Sequence, residues 1–75
     1  MNPELLGMSN EELIRWACTH SAIEEKELRT AISDIELFCA QYPIGVAQYV
    51  WELVKLSNAG IKAAAAGEAL RRRFV

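Results

Sequence analysis

The chain has 75 residues, 52% of them hydrophobic, and a formal net charge of −2 at pH 7, with an isoelectric point near 5.3. That length makes one domain, residues 1–75, and a domain this small buries only about 60% of its unfolded surface. Some apolar surface is therefore expected to stay outside the monomer, covered by a protein partner, by further copies of the chain in a homo-oligomer, or by both. The acidic balance argues against a dedicated nucleic-acid binder, whose domain is usually basic.

The charge is unevenly spread. Residues 1–38 carry eight acidic and three basic side chains, residues 39–75 two acidic and five basic. Such asymmetry suits opposed faces or pairing between copies. The N-terminus "MNPELLGM" has neither the basic nor the apolar region of a secretory signal. The longest apolar run, about residues 44–56, is too short for a bilayer and contains Glu52 and Lys55. A cytoplasmic protein with reduced thiols at Cys18 and Cys39 is expected. Each cysteine reads first as a small buried hydrophobe.

No segment alternates with period two, so the expected fold is all-α: a small bundle of three to four short helices. Residues 1–8 read as a short flexible N-terminus. The first helix starts strongly at Asn10. Ser9 and Glu12 make a capping box, with Met8 and Leu13 at the staple positions. Leu13, Ile14, Ala17 and Cys18 share a face, and Trp16 lies to its side. A second capping box, Ser21 with Glu24, predicts a new helix after "CTH", with one kinked helix as the alternative.

That second helix has the cleanest stripe: Leu28, Ala31, Ile32, Ile35, Phe38, Cys39 and Tyr42. Pro43 ends it and suits the first turn of the next. The third helix, about 44–58, carries Val46, Tyr49, Val50, Leu53 and Val54 on one stripe. Ile44, Ala47, Trp51 and Leu56 spread around the rest. A helix apolar nearly all round is buried on more than one side, so this one is expected at the centre. "NAG" stops it, with Gly60 able to take the left-handed conformation. The last helix starts near Ile61 or Lys62 on a stripe of Ala63, Ala66, Gly67, Leu70 and Phe74.

Catalytic and metal signatures are absent from the sequence. Cys18 and His20 point to opposite sides of a helix and cannot act as nucleophile and base. The neighbours Glu11–Glu12 and Glu24–Glu25 diverge by about 100° and share neither proton nor metal. Spacings such as CxxC or HExxH do not occur. The expectation is no enzyme, no cofactor and no small-molecule substrate.

Residues 50–73 allow a generic helix-turn-helix reading, with Lys62, Arg71, Arg72 and Arg73 as nucleic-acid contacts. Against it, the first turns of the last helix offer four alanines, which cannot make bidentate bonds to bases. The arginines also suit the negative end of their helix, and Glu68 can pair with Arg71 or Arg72. Nucleic acid and membrane are thus unlikely partners on sequence grounds.

Aromatic residues are enriched at interaction hot spots. Trp51 is the best candidate anchor, with Tyr49, Trp16 and Ala47 as further candidates. The chain resembles the general run of small bacterial or phage accessory proteins. The expected function is non-catalytic protein binding, as adaptor, assembly subunit or inhibitor of a larger complex. A DNA-binding regulator and a purely structural homo-oligomer are the alternatives.

Overall fold

The computed structural model describes residues 3–41 and 45–74, the last without its side chain. A short 3-10 helix, Pro3–Gly7, precedes four α-helices. These are α1 (Asn10–His20), α2 (Glu25–Gln41), α3 (Val46–Asn58) and α4 (Ala63–Phe74), and no strand occurs among the described residues. The fold is the small all-α bundle expected. The roles assigned to Tyr42, Pro43, Ile44 and the Phe74 side chain fall outside the described residues.

The start of α1 follows from local chemistry. Ser9 Oγ accepts the Glu12 backbone N–H at 3.3 Å, and the Ser9 N–H donates to Glu12 Oε1 at 3.2 Å. These two bonds satisfy donors that the helix itself leaves unpaired. They also hold the Glu12 carboxyl below its ordinary range.

The junction with α2 differs from expectation. Two separate helices form, but the Ser21–Glu24 capping box does not. Ser21 Oγ donates back to the Ala17 carbonyl at 2.6 Å and accepts the Ile23 N–H at 3.3 Å. α2 begins only at Glu25, with the Leu28 N–H on the Glu24 carbonyl at 3.0 Å. The physical reason is burial. Ile23 is 5% exposed and belongs to the core, so the connector stays open long enough to tuck it in.

The N-terminal segment adds an element that the periodicity does not show. Residues 3–7 form a 3-10 helix, and Leu5 is fully buried. The segment packs on α3. Anchoring one leucine removes its apolar surface from water, which stabilises by about 1.5–3 kcal/mol.

α3 is central, packing against α1, α2, α4 and the 3-10 helix. Tyr49, Val50, Leu53 and Val54 are buried along it. They meet Ile14 and Ala17 of α1, Leu28, Ile32 and Ile35 of α2, and Ala66 and Leu70 of α4 in one core cluster. α3 ends in a complete Schellman motif. The Ile61 N–H returns to the Leu56 carbonyl at 3.0 Å and the Gly60 N–H to the Ser57 carbonyl at 3.0 Å. Gly60 sits at φ 93°, where a side chain would strain the backbone. None of the helices among the described residues is long and apolar enough to cross a membrane.

Candidate functional site

Residues two apart on a helix point about 200° away from each other. Tyr49 and Trp51 therefore leave α3 on opposite flanks. Trp51 turns toward α1 and meets Trp16, with ring centroids 5.7 Å apart and planes tilted by 35°. Trp16 in turn stacks on His20 at 4.6 Å and 20°. The His20 ring nitrogen Nδ1 lies 2.8 Å from the Trp16 carbonyl, which can only accept. Asn58 Nδ2 donates to the His20 carbonyl at 3.0 Å and ties the end of α1 to the end of α3.

Both tryptophans are partly buried, while His20 is exposed. Trp16 packs on the core cluster. Ala47, one turn before Trp51 on the same flank, is also partly buried. No hydrogen bond reaches either indole N–H among the described residues, yet no buried side-chain nitrogen or oxygen there lacks a partner. Neither indole nitrogen is therefore fully sealed from solvent. The two tryptophans meet across α1 and α3, a contact that residue spacing along the sequence does not show.

Tyr49 requires a correction. It is 1% exposed, so it is a core residue and not a surface anchor. Its hydroxyl donates to the Gly67 carbonyl at 3.1 Å, and its ring meets Phe38 edge-on at 6.0 Å and 69°. Burial pushes the phenol above its ordinary value of 10.0. The small residues of α4 make this possible. Ala66 is fully buried, and a Cβ on Gly67 would stand 3.6 Å from the Tyr49 hydroxyl, in ordinary contact. The spacing of the stripe placed Tyr49 correctly inside; its enrichment at interfaces misled.

Sequence reading missed a groove between α2 and α4. It encloses about 400 Å³, floored by Tyr49 and Leu53. Ala31 and Thr30 form one wall and Ala63, Ala64 and Gly67 the other. A second hollow of about 440 Å³ continues it past Ile61 and Lys62, sharing Glu27, Ala63 and Ala64. The signal that could have found it is the small-residue flank of α4, which leaves space where a longer side chain would fill.

The basic residues do not form a single face. Arg72 pairs with Glu68 at 2.6 Å, and Arg73 reaches Glu52 on α3 at 3.8 Å. Arg71 lines the groove, and Lys62 lines its extension. Two of the three arginines are thus engaged by carboxylates of their own chain.

Burial raises the thiols of both Cys18 and Cys39, which suppresses the nucleophilic thiolate. The Glu11 carboxylate is held below its ordinary range by a two-pronged bond from Arg29, at 2.8 and 3.0 Å. No group of three or more His, Cys, Asp or Glu side chains among the described residues could hold a metal ion. Comparison with protein-family models, curated proteins and solved structures finds no match to this chain.

Proposed function

We infer that the chain is a non-catalytic protein-binding module, an adaptor, assembly subunit or inhibitor acting in the cytoplasm, and that it docks through Trp16 and Trp51. The observation that carries this reading is the pair of adjacent, partly exposed tryptophans from different helices, neither indole N–H hydrogen-bonded among the described residues. An apolar ring with an unpartnered donor at its edge can bury surface and make a directed bond in the same step. Such residues supply most of the energy at many interfaces. The ion pairs of Arg72 and Arg73 weigh against the DNA-binding alternative, since phosphate contact would first have to break them.

The test compares capture from a native lysate by the wild-type chain and by Trp16→Ala/Trp51→Ala, with mass spectrometry. A specific protein retained by the first and lost from the second, at unchanged circular dichroism, supports the reading. Equal retention by both, or no specific retention by the wild type, contradicts it.

A further inference from the structure

The groove between α2 and α4 has rims of opposite character. Glu27 and Asp34 stand on the α2 side, with Lys26 beside them; Arg71 stands on the α4 side. Lys62 continues the α4 side in the adjoining hollow. All five are exposed, and none forms an ion pair among the described residues. The pairs that do form use Arg29, Lys55, Arg72 and Arg73. The groove is therefore lined by charges that folding leaves unmatched.

Their spacing matches. Seven helical residues separate Glu27 from Asp34, or about 10 Å at 1.5 Å per residue. Nine residues separate Lys62 from Arg71, or about 13 Å at the same rise, within the reach of their long side chains. Asp34 and Arg71 line the same groove from its two helices, and Glu27 and Lys62 line the adjoining hollow together.

We propose that this groove is a self-association surface whose occupant is a second copy of the chain, related by a two-fold axis running along the groove. Such an axis lays α4 of each copy over α2 of the other at the same level. Arg71 then meets Asp34 of the second copy, and Lys62 meets its Glu27, each contact occurring twice. A two-fold axis across the groove would instead set α4 on α4, basic rim against basic rim. The charges select the first arrangement. The small side chains Ala63, Ala64 and Gly67 let the helices approach closely over the Tyr49–Leu53 floor. Burial of Ala31, Ala63 and Ala64, which the monomer leaves at least partly exposed, supplies affinity, while the charged rims fix register.

The surface is separate from the tryptophan face, so either can fail without the other. Sedimentation equilibrium from micromolar to millimolar concentration reads the dimer directly. Asp34→Arg and Arg71→Asp, each alone, are expected to weaken dimerisation by about tenfold or more, since each turns two attractions into two repulsions. The double variant restores both contacts with reversed sign, and dimerisation should return. Trp16→Ala/Trp51→Ala should leave it unchanged. Both charged positions are exposed, so circular dichroism should report native helicity throughout. A chain that stays monomeric at every concentration overturns the proposal, including one that seats some other helix in the groove. A dimer indifferent to either single reversal, or not restored by the double, overturns it as well.

Discussion

Tyr49 and Trp51 are both large aromatics, two residues apart on one helix, and they have opposite fates. Tyr49 faces α4, where Ala66 and Gly67 let the backbones come close and the Gly67 carbonyl accepts its hydroxyl at 3.1 Å. Trp51 faces α1, where it meets another tryptophan at 5.7 Å and no acceptor for its N–H. What decides burial is the neighbour across the seam. A polar tip is sealed inside when a partner is in reach, because leaving it unmet there would cost about 1–3 kcal/mol. Where no partner exists, the tip stays in water. One flank of α3 is thus sealed into the fold, and the other stays partly exposed.

Variants can break that contrast, starting with the sealed flank. Leu53 is 1% exposed and floors the groove beside Tyr49. Leu53→Ala should cost about 2–5 kcal/mol, the usual range for large-to-small core changes. Ile35→Ala on α2, 2% exposed, should fall in the same range, about 2–5 kcal/mol. Urea denaturation measures both. Trp51→Ala should cost less than the 3–5 kcal/mol typical of a tryptophan truncated in a core, roughly speaking, because part of its surface is already wet. If Trp51→Ala proves as damaging as Leu53→Ala, the two flanks are not different in kind.

Smaller effects sharpen the picture. Gly60→Ala forces a side chain into the φ 93° conformation and should cost about 1–2 kcal/mol. Tyr49→Phe removes one buried hydrogen bond and should cost about 0.5–1.5 kcal/mol. Gly67→Ala goes the other way. Its Cβ would meet Tyr49 at an ordinary 3.6 Å, and alanine favours the helix by about 0.5–1 kcal/mol over glycine. A slightly raised melting temperature is expected. Replacing Arg71, Arg72 and Arg73 together by alanine should cost about 0.3–1 kcal/mol through the helix dipole and exposed pairs, partly masked by salt. In fluorescence anisotropy, these arginines should give no tight, sequence-selective binding to duplex DNA at physiological salt. Such binding would restore the helix-turn-helix reading.

Two pH limbs follow from the shifted groups. Glu11 and Glu12 are lowered in the fold, by Arg29 and by Ser9 respectively, from an ordinary 4.5. Their contribution is present above that value and is lost as pH falls through their lower folded values. Glu11→Gln with Glu12→Gln should flatten the acid limb of a stability profile. Tyr49 is raised from 10.0, so its contribution is present below that value and is lost as pH rises through the folded one. Tyr49→Phe should flatten the alkaline limb.

Much of the fold was legible because its signals are local. The Ser9–Glu12 box, the α2 stripe and the Gly60 stop each depend on residues within a few positions of one another, and all three formed. The start of α2 was not legible. Ser21 can cap two ways, and the burial of Ile23, a tertiary event, decided between them. The docking of Leu5 was hidden for the same reason: a single leucine in a five-residue 3-10 helix has no periodicity to read. In the site, flank positions separated Trp51 from the stripe. The sequence did not say that Trp16 would be its neighbour, or that Asp34 and Arg71 would face one groove from two helices.

Proton exchange observed by nuclear magnetic resonance tests the two-flank claim most directly. The indole N–H signals of Trp16 and Trp51 should exchange with water at nearly the rate of free indole. The Tyr49 hydroxyl proton should be protected enough to be seen, with a cross-peak to α4 near Gly67. Protected indole protons together with a freely exchanging Tyr49 hydroxyl would contradict the claim.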